Sequence, residues 1–258
     1  MKIRFYKYQG TGNDFVMIDD RDKTFPVSQQ LVASICHRRF GIGSDGLILL
    51  QNEPGYDFRM VYFNADGGEG SMCGNGGRCV VRFAHDLGIF TGDTRFIAVD
   101  GEHEATVSGD TIRLKMSPVS AIQRFEDHDF LNTGSPHYVT YVDHVDEADV
   151  TGQGSEIRYG SVYGPQGGTN VNFVEVIGTE HLSVRTYERG VEDETFSCGT
   201  GVTACALSAH LRYGWGSPVT VETIGGTLSV AYSETPTGFD QVFLTGPAVR
   251  VFEGELAI

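Results

Sequence analysis

The sequence writes one short phrase twice, 125 positions apart from Cys73 to Cys198. The first copy, Met72-Cys73-Gly74-Asn75-Gly76, runs into an apolar stretch that stops near Gly88. The second, Ser197-Cys198-Gly199-Thr200-Gly201, runs into a similar stretch that stops near Gly214. At the same offset Tyr62 matches Tyr187, Glu69 matches Glu194, and Ala84-His85 matches Ala209-His210. A repeat of this period is too long for a solenoid unit and is about the size of a small domain. The chain therefore reads as two related halves. Facing each other across a cleft, such halves present two equivalent thiols to one ligand, which suits removal of a proton from one face of a carbon and return of one to the other.

The pattern along the chain fits that division. Alternation and short apolar runs at Ile3–Tyr6, Phe15–Ile18, Leu47–Leu50 and Phe58–Phe63 predict strands, broken by turn residues such as Gly10, Gly12 and Asn13. Ser28 predicts the cap of a helix running from about Gln29 to Arg39, and a second helix follows over about 75–87. Strands are expected at 94–99, 103–108 and 111–116, and in the second half at 137–142, 171–177, 181–187, 218–223, 226–232 and 241–244, with a helix over about 200–213. Many short strands with one principal helix per half, and no regular βαβ spacing, predict an α+β protein. Its two pseudo-symmetric domains are each a curved, largely antiparallel, barrel-like sheet around a central helix, with the active site in the cleft between them. The expected division is 1–117, carrying Cys73, and 118–258, carrying Cys198, with the last ~10 residues free to return to the first half. The stretch Ser117–Pro136 is the expected crossover.

Composition narrows the partners. A net charge of −15 argues against nucleic acid or an anionic membrane and for a small-molecule substrate. The run Met1-Lys2-Ile3-Arg4-Phe5-Tyr6 has no apolar core, so no secretory leader is expected, and no run approaches the ~20 apolar residues of a membrane span. Five cysteines make an odd number in a mid-sized chain and do not read as a secreted disulfide framework, which points to the cytoplasm. The histidines and cysteines lack zinc spacing, so no metal is expected. Gly41-Ile42-Gly43-Ser44-Asp45-Gly46 fits a dinucleotide fingerprint, but it follows a helix end and precedes a strand, the reverse of the required order.

The two Cys-Gly-x-Gly turns carry the chemistry. The first four N–H groups of a helix lack partners within it, and the macrodipole places partial positive charge there. Glycines let a ligand approach that backbone, so each turn suits a carboxylate. The same field favours thiolate over thiol and takes a cysteine from ~8.5 to as low as ~3.5–7.5. Two such thiols about one cavity titrate as a coupled pair, one serving as base while the other remains an acid. A single cysteine is more often a small buried hydrophobe; two in matched turns argue for catalysis. Cys36, Cys79 and Cys205 lack that context and read as core.

With these residues in view the chain resembles the diaminopimelate epimerase family, nearly end to end. The motifs are Gly10-Thr11-Gly12-Asn13-Asp14-Phe15, Phe63-Asn64-Ala65-Asp66-Gly67, Met72-Cys73-Gly74-Asn75-Gly76, Gly134-Ser135-Pro136-His137, Thr169-Asn170-Val171-Asn172-Phe173, Tyr187-Glu188-Arg189-Gly190 and Cys198-Gly199-Thr200-Gly201. The resemblance implies an isomerase that converts LL-2,6-diaminopimelate to the meso form in lysine and peptidoglycan biosynthesis, without a cofactor and as a homodimer. It implies Cys73 and Cys198 as the acid–base pair, and Gly74, Asn75, Gly199 and Thr200 as the cradle of the reacting carboxylate. Asn13, Asn64, Asn170, Glu188 and Arg189 would meet the distal end of the substrate, and His137 and Glu188 would adjust the thiols. Two departures stand out: some relatives carry glutamine in the turn that here ends at Gly46, and asparagine often stands where this chain has Ser135. Both positions are left out of the binding set.

Two other readings remain. A proline or hydroxyproline racemase would share the two thiols, but typically carries histidine in place of Asn75 and Asp-Arg-Ser-Pro before the second cysteine, where this chain has Glu192-Asp193-Glu194-Thr195-Phe196-Ser197. A non-catalytic paralogue would keep the diamino-acid pocket as a sensor.

Overall fold

The structure, a computed structural model, describes residues 2–70, 72–120 and 122–257. It divides into two compact units, one formed by Met1–Leu114 with Gly246–Ile258 and the other by Lys115–Thr245.

In the first unit the strands are β1 (Lys2–Gly10), β2 (Asn13–Asp19), β3 (Gly46–Gln51), β4 (Phe58–Asn64), β5 (Asp93–Ala98), β6 (Gly101–Ser108) and β7 (Thr111–Lys115), with helix α1 (Gln29–Cys36) after β2 and α2 (Gly74–Asp86) after β4. They pair in chain order from β1 to β7, antiparallel except for the parallel contacts β2–β3 and β4–β5.

The second unit has β8 (Val119–Ser120), β9 (Gln123–Arg124), β10 (His128–Asn132), β11 (Pro136–Tyr141), helix α3 (Val150–Tyr159), β12 (Asn170–Gly178), β13 (His181–Glu188), β14 (Asp193–Thr195), helix α4 (Gly199–Tyr213), β15 (Val219–Thr223), β16 (Gly226–Thr235) and β17 (Gly238–Pro247). From β10 the pairing runs β10–β11–β12–β13–β15–β16–β17, again antiparallel except for two parallel contacts, β11–β12 and β13–β15. The alternation is that of the first unit, and the helices occupy the same places, so the sequence repeat is a topological one. The fold is α+β with two pseudo-symmetric units.

Each unit wraps its sheet about one helix. From Gly74 to Ala84, α2 is buried at every position except Arg82, and α4 is buried from Gly199 to Ala209 except at Thr200. Helix α2 packs on β1, β2, β3, β4 and β6, and α4 on β10, β11, β12, β13, β15 and β16. A helix enclosed on all sides needs small residues where a strand comes close. A Cβ on Gly201 would lie 2.4 Å from Asn172 Oδ1, and one on Gly77 would lie 2.4 Å from Met72 Cε.

Several elements differ from expectation. Helix α1 ends at Cys36 and does not reach Arg39, because Ile42 and Gly43 N–H turn back onto Ile35 O and Ser44 N–H onto Cys36 O. Helix α3 was not expected, its sequence being rich in glycine. Asp149 caps it, and Gly154 is required because a Cβ there would meet the Tyr187 side chain at 2.4 Å. Packing here overrides propensity. The expected crossover Ser117–Pro136 holds β8, β9 and β10 of the second unit, while Ala121 within it lies outside the described residues. The final strand β18 (Val249–Ala257) pairs antiparallel with β1 from Lys2↔Ala257 to Gln9↔Val249. Gly246–Ile258 thus groups with the first unit, and the unit boundary falls at 114/115 where the sequence suggested 117/118. No described helix is long and apolar enough to cross a membrane.

Candidate active site

Of the four described α-helices, three have an N-cap in extended backbone, Asp149 of α3 being the exception, and only two are capped by a side chain. Ser28 accepts Leu31 N–H at the start of α1, and Asp149 accepts Gly152 N–H at the start of α3. At α2 and α4 the N-cap is Cys73 and Cys198, and neither makes a side-chain capping bond. Cysteine is absent from the preferred N-cap residues, so its presence at both buried helices marks a function other than stability. The helical ladders begin with Gly77 N–H to Cys73 O at 2.7 Å and Val202 N–H to Cys198 O at 2.8 Å, which leaves the amides of 74–76 and 199–201 outside them. Neither helix has an acidic residue in its first turn to offset the positive end. Each helix start is suited to an anion and carries a cysteine at its edge.

In the first unit the thiol meets the start of β2. Cys73 Sγ lies 3.7 Å from Asn13 Oδ1, which also accepts Asn75 Nδ2 at 3.3 Å. The other end of the Asn13 amide donates to Asp45 Oδ2 at 2.6 Å, so Asp45 fixes which end faces the sulfur. Asp45 is held in turn by Arg38, which also grips Asp14, and Asp14 pairs with the buried Lys7. Burial would raise the Asp14 carboxyl, but hydrogen bonds and charge from Arg38 and Lys7 prevail and hold it at about 2. Asn64 closes β4 opposite Gly46 of β3, with its side chain exposed. A Cβ on Gly46 would sit 2.5 Å from the Tyr62 ring, so Tyr62 fills the space a longer residue would take.

In the second unit the corresponding strand starts supply a different set. His137, fully buried at the start of β11, has Nε2 3.0 Å from both Thr200 Oγ1 and Ser135 Oγ. Its Nδ1 lies 3.2 Å from Asn172 Nδ2, a donor, which assigns the ring proton to Nε2. Thr200 Oγ1 is 3.5 Å from Cys198 Sγ, so His137 reaches the thiol through one hydroxyl. Burial and the nearby Arg189 charge push the His137 pKa down to about 3, which keeps the ring neutral. Asn170 stands beside His137 in register and spends its whole amide within the protein: Nδ2 on Ser135 Oγ and Pro136 O, Oδ1 on the backbone N–H of Arg189. Glu188 closes β13 and accepts Thr195 Oγ1 at 2.9 Å, while the Arg189 guanidinium forms no ion pair among the described residues.

The sequence reading noted Ser135 but left it out of the binding set, and it did not single out Asp45 or Asn172. Asp45 lay in the set-aside glycine turn and Asn172 inside a strand motif, and only the fold brings them beside Asn13 and His137.

One expectation follows from His137. Its folded pKa lies below the unfolded value of ~6.5, so between these values the unfolded chain binds the extra proton. Stability therefore falls as pH drops below ~6.5, by about 1.4 kcal/mol per unit for this one group. The depressed carboxylates, such as Asp14, act only from about pH 5 downward. Urea unfolding at pH 7 and pH 5.5 is expected to show that loss in the natural chain and not in His137→Gln; equal slopes in both would contradict a neutral buried ring.

The comparisons with known proteins agree with this architecture. The family model for diaminopimelate epimerase matches residues 5–122 and 130–251. A diaminopimelate epimerase of Flavobacterium psychrophilum is 49% identical over 97% of this chain and 99% of its own length. One of Chlorobaculum tepidum is 46% identical over 96% and 99%. Among solved structures, a Bacillus anthracis phenazine biosynthesis protein of the PhzF family superposes with a TM-score of 0.79, covering 100% of both chains at 15% identity, a likeness of fold alone. Fold and matched cysteines define a two-unit α+β scaffold with a thiol at each buried helix, and the relatives it matches are isomerases. The chain belongs to the diaminopimelate epimerase family.

Proposed function

We propose that this protein is an isomerase that epimerises LL-2,6-diaminopimelate to the meso form in lysine biosynthesis, by a two-thiol reaction that uses no cofactor, and that it works in the cytoplasm as a homodimer. The observation that supports this most is the pair of uncapped N-cap cysteines, Cys73 and Cys198, on equivalent buried helices of a chain belonging to that family.

The reaction begins with one sulfur as thiolate and the other as thiol. The thiolate takes the proton from Cα; the C–H electron pair moves toward the α-carboxylate. First-turn amides of Gly74 and Asn75, and of Gly199 and Thr200, stabilise that charge with their helix dipoles. The thiol then returns its proton to the opposite face of Cα. The sulfurs have exchanged roles, so the reverse reaction uses the same groups. At the distal end Arg189 pairs with the second carboxylate, Glu188 receives its ammonium, and Asn64 supplies donor and acceptor. Asn170 acts through the Arg189 main chain, and Asn13 through its amide, held at the Cys73 sulfur.

Incubating the purified chain with LL-diaminopimelate in D₂O tests this. Deuterium is expected at one α-carbon, with no exchange into L-proline. Exchange into proline would establish the racemase reading instead, and tight binding of diaminopimelate without exchange would establish the sensor.

A further inference from the structure

Arg78 lies on α2 one turn beyond the helix start and is fully buried. Its Nη2 donates to Thr11 Oγ1 at 3.1 Å and its Nε to Pro247 O at 3.4 Å, while Nη1 has no hydrogen-bond partner. Among the described residues no carboxylate forms an ion pair with it. The guanidinium sits under the first turn: a Cβ placed on Gly10 would be 3.3 Å from Arg78 Nη2, from Asn75 O and from Cys79 Sγ alike. Helix side chains lean toward the N-terminus, so this charge leans toward the first turn of α2. Arginine does not lose its proton in proteins, and a buried cation demands an anion.

The neighbourhood leaves few candidates. From β1, the buried Lys7 is paired with Asp14 and the Tyr8 hydroxyl donates to Asp86. From β2, Asp14 is paired with Lys7 and Arg38, and Asp45 in its turn is paired with Arg38. On α2, Asp86 holds Arg82; from β4, Arg59 pairs with Glu53; on β6, His103 faces Asp100; on β18, Arg250 pairs with Glu253. Two sulfurs lie on the same turn as the guanidinium: Cys79 Sγ shares the space beside Gly10 with Arg78 Nη2, and Cys73 Sγ stands at Asn13, which pairs with Gly10 across the turn that holds Thr11. Burial pushes the Cys79 thiol up to about 12, so it stays protonated. Cys73 is partly exposed.

We propose that Arg78 is a positioning residue whose buried guanidinium is the counter-charge of the Cys73 thiolate, so that Cys73 is the sulfur that ionises first. The position 125 residues on is Thr203, a neutral side chain bonded to Gly199 O at 3.0 Å, so the second helix lacks this charge. Asn13 Oδ1 opposes the effect by accepting the Cys73 S–H, but a neutral amide at 3.7 Å from sulfur is a weak partner beside a full charge in a poorly solvated site.

This rests on Cys73 being a reacting thiol of the proposed epimerisation. The test is the pH dependence of iodoacetamide alkylation, read on the Cys73 peptide by mass spectrometry in the full chain. Arg78→Met and Arg78→Gln are expected to raise the Cys73 inflection by about one pH unit, a tenfold loss of thiolate near neutral pH. Arg78→Lys is expected to stay near the natural value. An unmoved inflection in folded Met or Gln variants would overturn the proposal. Should neither neutral variant fold, the natural chain decides by comparison with Cys198, which has the same helix start without the arginine: a Cys73 inflection at or above that of Cys198 overturns the proposal, and one about a pH unit lower supports it. Failure here with deuterium exchange intact condemns the role of Arg78 alone; absence of exchange in the natural chain condemns the function.

Discussion

Replacing Cys73 or Cys198 by serine is expected to lower kcat/KM for epimerisation by about 10³ or more while leaving the helix that carries it as stable as before, or more so. The loss follows from chemistry. A positioned acid or base contributes roughly 10²–10⁴ in rate, and a hydroxyl ionises far too weakly to replace a thiolate. A thousandfold loss is about 4 kcal/mol of barrier. The stability half follows from the caps. Neither cysteine caps its helix, so no capping bond is removed, and serine at an N-cap can accept the N2 or N3 amide for a gain of ~0.5–1 kcal/mol. Opposite signs in the two measurements are the signature of a residue held for function against its local preference. Steady-state kinetics with thermal melting would show it. Activity retained within tenfold in either variant, with melting unchanged, would refute the two-thiol reading.

Where the sequence was legible, it was because the signal was local or repeated. The Cys-Gly-x-Gly turns announced two helix starts, Ser28 announced a third, and alternation marked most strands to within a few residues. The repeat went further, since the parallel contacts β2–β3 and β11–β12 fall at equivalent places. What was hidden depends on partners distant in the chain. Helix α3 forms because Gly154 fits against Tyr187, which no window of sequence shows. Asp45 matters because its oxygen meets Asn13, 32 residues away, and Asn172 because it meets His137, 35 residues away. Arg78 read as one more helix residue until its burial among sulfurs and carbonyls was visible. The proposed site is thus local in its two cysteine turns and non-local in the groups the fold places around them.

The same division between reacting atoms and their supports identifies the second large effect, at Asp129. This carboxylate on β10 is fully buried and receives Arg212 through Nε at 2.8 Å and Nη2 at 3.0 Å, together with the Ser208 hydroxyl. Arg212 and Ser208 lie in the C-terminal half of α4, whose N-cap is Cys198. Asp129 therefore clamps the far end of the helix that presents the second thiol. Removing one member of a buried pair leaves the other as an uncompensated charge, at a cost of about 3–5 kcal/mol. Asp129→Ala is accordingly expected to destabilise the second unit by that amount in urea unfolding. Arg38→Ala, which breaks pairs on a well-exposed side chain, should cost no more than about 1 kcal/mol. The two explanations for a loss at Asp129, stranded charge or lost packing, separate in the double variant Asp129→Ala with Arg212→Met. Removal of both charges is expected to recover more than half of the loss, since an apolar replacement of a buried pair is often close to neutral. If the double variant is as unstable as Asp129→Ala, the carboxylate acts by filling space and not by holding Arg212.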